Sequence, residues 1–258
     1  MKKSELHELR PYLADVFHET ESMSVALSGS ISRGDFRVRD GEVVSDVDLI
    51  PVINSMTDVP AARSQLAPAL RMISDRFHVT CTAAITLSEQ FLRTRHAGYV
   101  TSMSDSPFVC DPLGMQVRLR QLDPDCHVSA LPWRAQPVTY YLAKAGHTKP
   151  DQNLAKARAA ADRLLAEAPV PKGALTPSVA GESYESVRAA CVDIVRTVAA
   201  VHSVDLLPSS QEYLSSGTAR DRSQVFEAVR SRAFLENQGI PFEQSSLMAR
   251  PSALSQRV

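Results

Sequence analysis

The sequence predicts an α+β protein: a mixed sheet with flanking helices, followed by a helical C-terminal domain. Short apolar, β-branched runs alternate with helical patterns as far as about residue 114. Beyond about residue 131 the apolar spacing settles to threes and fours. Between the two regimes, Asp123-Pro124-Asp125 and Leu131-Pro132 mark a boundary.

Residues 4–18 set Leu6, Leu9, Leu13, Val16 and Phe17 on one helical face, with Pro11 expected to kink or restart the helix. Met23–Ser28 is a short strand running into Gly29-Ser30. Phe36–Arg39 and Glu42–Ser45 flank Asp40-Gly41, a pair suited to a type I′ hairpin turn, and Asp46–Ile53 is a strand rich in β-branched residues. Asp58 caps a helix with Pro60 in its first turn and Leu66, Leu70, Ile73 and Phe77 on its apolar face; Pro68 is expected to break or bend it. Phe77–Ile85 alternates as a strand, with Phe77, Val79, Cys81, Ala83 and Ile85 on one face and His78, Thr80 and Thr82 on the other. Thr86 to Glu89 spells a capping box opening the next helix, and Pro107–Cys110 is a further strand.

In the second half, helices are expected over Pro137–Gly146, Asp151–Ala168, residues 183–203 and residues 220–237. Residues 242–258 are polar and aperiodic and read as a flexible tail. The expected domains are therefore 1–130, 131–241 and the tail 242–258.

A formal net charge of −1 and an aromatic content of 6% argue against a dedicated nucleic-acid binder. No apolar run approaches the roughly 20 residues of a membrane span, and the N-terminus lacks a signal peptide's apolar region. The four cysteines (Cys81, Cys110, Cys126, Cys191) form no C-x-x-C pair and read as buried hydrophobes. The expectation is a cytoplasmic chain.

Chemistry concentrates in residues 29–48. Asp46 and Asp48, at i and i+2 of a strand, project two carboxylates from one face, where they repel unless a cation lies between them. A hard, oxygen-preferring ion such as Mg²⁺, shared with substrate phosphates, is the natural partner. The Gly29-Ser30 step, at a strand-to-helix turn, lets backbone N–H groups and the Ser30 hydroxyl approach a phosphate closely.

Leu27-Ser28-Gly29-Ser30, then Ser32-Arg33-Gly34, then Ser45-Asp46-Val47-Asp48-Leu49-Ile50 resembles the signature of the DNA polymerase β-type nucleotidyltransferase superfamily, whose bacterial small-molecule members include aminoglycoside nucleotidyltransferases and the minimal nucleotidyltransferases. Phe108 to Gly114 also resembles a strand end seen there, and a helical C-terminal domain is usual. The resemblance implies transfer of a nucleoside monophosphate from an NTP, ATP among the candidates, to a small-molecule or protein acceptor, releasing pyrophosphate. It implies that Asp46 and Asp48 bind one or two Mg²⁺ ions and that Gly29 and Ser30 hold the β,γ-phosphates. Arg33 would neutralise phosphate charge as a fork donor.

One feature departs from that pattern. The superfamily usually carries a third carboxylate on a neighbouring strand, whereas the polar face of Phe77–Ile85 offers only His78, Thr80 and Thr82. Three readings stand open: His78 is the base, the acceptor needs no strong base or the acid comes from elsewhere, or the protein is a catalytically degenerate nucleotide-binding module. Glu89 and Asp111 are read as a cap and a turn residue. Lys144, Lys149, Lys156, Arg93, Arg95 and His96 are read as solvated charges able to reach a triphosphate.

Overall fold

The computed structural model describes residues 1–94, 108–121, 127–171, 173–175, 183–216 and 221–252. The chain divides into two compact units: Met1–Arg95, Tyr99–Leu122 and Asn237–Val258 form one, His96–Gly98 and Asp123–Glu236 the other.

The first unit is a mixed sheet between two helical layers. Its strands are β1 (Ser24–Ser28), β4 (Val47–Ile53), β5 (Cys81–Ala84), β6 (Thr86–Leu87), β7 (Phe108–Cys110) and β8 (Ser246–Ala249), in the order β7-β1-β4-β5-β8 with β6 also on β4. β4 pairs antiparallel with β1 and parallel with β5 and β6. A separate hairpin joins β2 (Val38–Arg39) to β3 (Glu42–Val43) through Asp40 (φ 52°) and Gly41 (φ 79°). Positive φ at both central residues is what a type I′ turn demands.

The alternation of β4 explains the two layers. Val47, Leu49 and Ile53 join the core built by α1 (Leu6–Phe17) and α3 (Val59–Phe77), through Leu9, Leu13, Leu66, Leu70 and Ile73. Ile50 and Val52 face the other way, onto Phe91 of α4 (Ser88–Thr94) and Met115 of α5 (Met115–Arg120). Asp48 shares their face. α2 (Gly29–Arg33) is a single turn between β1 and the hairpin, stopped by left-handed Gly34.

Both interior prolines are carried through: α1 contains Pro11 and α3 contains Pro68. An interior proline costs about 3 kcal/mol. In α3 the complete burial of Leu66 and Ile73 outweighs that cost.

The second unit is helical: α6 (His127–His147), α7 (Pro150–Glu167), α8 (Tyr184–Val201), α9 (Pro208–Ser215) and α10 (Arg222–Gln238), whose last residues return to the first unit. Its core joins Val138 and Leu142 to Ala157, Leu164, Val187, Cys191, Val198 and Val229. No helix among the described residues is long and apolar enough to cross a membrane.

Several expectations need correction. Residues 242–258 are not simply a tail: α11 (Phe242–Ser245) and β8 follow Gly239, and β8 pairs antiparallel with β5 from Cys81↔Ala249 to Ala84↔Ser246. The first unit thus ends near residue 122 rather than 130 and recovers residues 237–258. Leu131-Pro132 lies inside α6, which starts ten residues before Pro137. α9 was not anticipated, and Asp123-Pro124-Asp125 and Cys126 lie outside the described residues.

The largest correction concerns Phe77–Ile85. Phe77 ends α3, His78 caps it in the left-handed conformation (φ 52°), and the strand begins only at Cys81. Ser74 secures this reversal by donating its hydroxyl to the Val79 carbonyl at 2.7 Å. The expected burial alternation survives: Phe77, Val79, Cys81, Ala83 and Ile85 are all buried.

Candidate active site

β1 delivers Ser28 directly opposite Asp48 on β4, and the chain then turns at Gly29 with φ 72°. A Cβ at Gly29 would lie 2.1 Å from Asp48 Oδ2 and 2.9 Å from Asp48 Cγ. Two independent constraints therefore require glycine: the left-handed backbone and the carboxylate packed against its α-carbon. The Gly29-Ser30 turn and the second aspartate are in contact.

The other oxygen of that carboxylate is held from the opposite side. Thr82 stands in register with Asp48 on β5, and its hydroxyl donates to Asp48 Oδ1 at 2.7 Å. Ser28, Asp48, Thr82 and Met248 thus form one row across four strands and share a face.

Asp46 lies just before β4 and is exposed, whereas Asp48 is half-buried. Its backbone is clamped by its neighbours. Ser45 is buried and accepts the Arg37 N–H on its hydroxyl at 2.9 Å, while the Val47 N–H donates to the Thr80 carbonyl at 2.9 Å. Beneath both aspartates lies Cys81. Burial first, then the negative charges of Asp48 and Asp46, push its thiol up to about 12. Cys81 is therefore no nucleophile at neutral pH.

The remaining expected site residues are less closely engaged. Ser30 is half-buried in the turn of α2. Arg33, the last residue of α2, donates through Nε to Asp35 Oδ2 at 3.2 Å, an exposed ion pair. His78, exposed at the end of α3, is not a residue of β5, so its expected place on that strand's polar face is corrected. Thr82 occupies the position in register with Asp48 instead.

Asp111 and Glu89 play structural parts. Asp111 accepts the Met115 and Gln116 N–H groups and the Ser24 hydroxyl, each within 2.8 Å, so it caps α5. Glu89 is exposed in the first turn of α4, and Thr86 is a β6 residue whose hydroxyl donates to the Ala84 carbonyl, so the expected capping box does not form there. Lys144 and Lys156 lie over Tyr140 and Tyr141, Lys149 caps α7, and Arg93 lies in the last turn of α4; Arg95 and His96 lie outside the described residues.

Three participants escaped the sequence reading. Thr82 was visible as a polar-face residue, but its partner follows only from the parallel register of β4 and β5. Arg37 is tied to the residue before Asp46 through a hairpin whose strands are two residues long. Met248, 60% exposed, joins the row from a segment with no strand signal.

The donor set suits a hard divalent cation in part. Asp46 and Asp48 offer carboxylate oxygens, and Asp48 is fixed by Thr82 and Gly29. Among the described residues no group of three His, Cys, Asp or Glu side chains converges on one point. Two protein carboxylates, with substrate phosphates and water completing the shell, is a usual arrangement for Mg²⁺. No protein-family model, curated protein or solved structure significantly matches the chain.

Proposed function

We propose that this chain is a Mg²⁺-dependent nucleotidyltransferase that moves a nucleoside monophosphate from an NTP to a small-molecule or protein acceptor, with release of pyrophosphate. The observation that carries this reading is the contact between the Asp48 carboxylate and the Gly29 α-carbon. It sets a fixed carboxylate beside the Gly29-Ser30 turn.

In this reading Asp46 and Asp48 hold Mg²⁺, which supplies charge neutralisation for the triphosphate. Gly29 and Ser30 bind the β- and γ-phosphates through backbone N–H groups and the hydroxyl. Thr82 keeps Asp48 oriented. Arg33, after leaving Asp35, is the cation assigned to phosphate oxygens. The acceptor oxygen attacks the α-phosphorus in line, the bond to the bridging oxygen breaks, and the electron pair leaves on pyrophosphate. The acceptor proton passes to water or to a base, for which His78 remains the residue to test.

Incubation with α-labelled NTP, Mg²⁺ and fractionated metabolites should yield a labelled product and pyrophosphate. Asp46→Asn and Asp48→Asn should each abolish both. Absence of turnover with every NTP and acceptor class, under conditions where NTP binds, refutes catalysis.

One observation favours a second reading, a nucleotide-binding regulatory module without turnover. The position in register with Asp48 on β5 is Thr82, which cannot serve as a carboxylate ligand or a strong base. Tight NTP binding that survives Asp48→Asn, without pyrophosphate release, selects this alternative.

A further inference from the structure

At the β8 edge of the sheet, two strands from β4, an open groove of about 450 Å³ lies between α3 and β8. Its cationic walls are Arg63, Arg71 and Arg250, with Ala67, Leu247 and Met248 among its apolar lining, and among the described residues no acidic side chain lines it. Arg63, Ala67 and Arg71 are spaced i, i+4, i+8 on α3, so the two arginines stand on one face about 12 Å apart along the axis.

Each arginine reaches the cavity by a different route. Arg63 is half-buried, and its Nη1 donates to the Gln244 carbonyl at 2.6 Å and the Ser246 carbonyl at 3.2 Å. That bond locks one end of the guanidinium to the start of β8. Arg250 directly follows β8, on a segment pinned two residues later by the Ser252 N–H donating to Asp75 Oδ1 at 2.8 Å. Among the described residues no ion pair or hydrogen bond engages the side chain of Arg71 or of Arg250. Three guanidinium groups around one cavity, unrelieved by a lining carboxylate, repel one another, and an anion converts that repulsion into binding.

The geometry points to a second ligand site, independent of the proposed nucleotide site, that takes a small extended polyanion bearing phosphate or carboxylate groups. The volume falls in the range of metabolite pockets. The planar fork of arginine matches both anions bidentately. The apolar lining accommodates a short linker between the charged ends.

Calorimetric titration of the full chain, in low salt after divalent ions are removed on a chelating resin, tests the site with tripolyphosphate and, separately, with citrate. One equivalent of at least one probe should bind. The double variant Arg71→Ala/Arg250→Ala should weaken binding at least tenfold, the matching double lysine variant should fall between, and Arg163→Ala on α7 should leave it unchanged. Both alanine positions are exposed, so the fold persists, and an unaltered thermal transition verifies this. Preference for tripolyphosphate over citrate identifies phosphate as the group read; equal binding identifies charge alone. The proposal is overturned if neither probe binds, if Arg163→Ala weakens binding equally, or if Asp48→Asn rather than the arginine variant removes it. Because the resin strips the divalent ion, success or failure here is separate from that of the nucleotidyltransferase reading.

Discussion

Replacing Gly29 by alanine is the sharpest perturbation available. The new methyl group would sit 2.1 Å from Asp48 Oδ2, a distance no non-bonded carbon and oxygen sustain, and 3.0 Å from Asp48 Cβ, a tight contact. Two costs arise. Holding alanine at φ 72° costs roughly 1–2 kcal/mol. Relieving the overlap requires the carboxylate to swing away and surrender the Thr82 hydroxyl, a bond to a charged group worth about 1.5–3 kcal/mol. Gly29→Ala should therefore destabilise the protein by about 2.5–5 kcal/mol, read from urea unfolding. A cycle separates the two costs. In an Asp48→Ala background there is no carboxylate to strike, and Gly29→Ala should cost only the backbone share of about 1–2 kcal/mol. Equal costs in both backgrounds would refute the packing of Asp48 on Gly29, and with it the observation on which the functional reading stands.

Thr82→Val keeps the side-chain volume but removes the donor to Asp48, so it should cost about 1.5–3 kcal/mol and weaken Mg²⁺-NTP binding, measured by calorimetry. Cys81 should resist thiol reagents in the folded protein at pH 8 and react once urea unfolds it. Because its thiol is raised in the folded state from 9.0 to about 12, its contribution to stability is complete below pH 9. It then falls by about 1.4 kcal/mol per pH unit above that, a slope that Cys81→Ala should lessen. In the helical unit, the Glu236 carboxylate accepts from the Ser209 N–H at 2.7 Å, the Ser209 hydroxyl and Gln136 Nε2 at 2.6 Å. Glu236→Ala strands these donors, two of them on buried side chains, and should cost about 3–5 kcal/mol in a thermal or urea transition.

What the sequence revealed follows from the range of each interaction. The Asp40-Gly41 turn was legible because its two positive φ angles are local demands. The Gly29-Ser30 and Asp46-Val47-Asp48 pieces were legible for the same reason, and their contact follows from the antiparallel pairing of β1 with β4. β8 was not, because Ser246-Leu247-Met248-Ala249 is too short for a period and finds its partner more than 160 residues earlier. His78 was misplaced because its burial pattern continues unbroken from helix to strand, while the reversal depends on one left-handed residue. The prolines misled in the opposite sense: Pro68 and Pro132 signal breaks, yet buried side chains on either side keep α3 and α6 continuous.

The return of the chain to form β8 makes the sheet unit discontinuous, with the helical unit threaded into its sequence between residues 122 and 237. On the ribosome, β5 therefore waits with an open edge while more than a hundred residues are made. The helical unit, contiguous over most of its length, can bury its own core during that interval. Closure of the sheet becomes a late event, completed only after the inserted unit has been made.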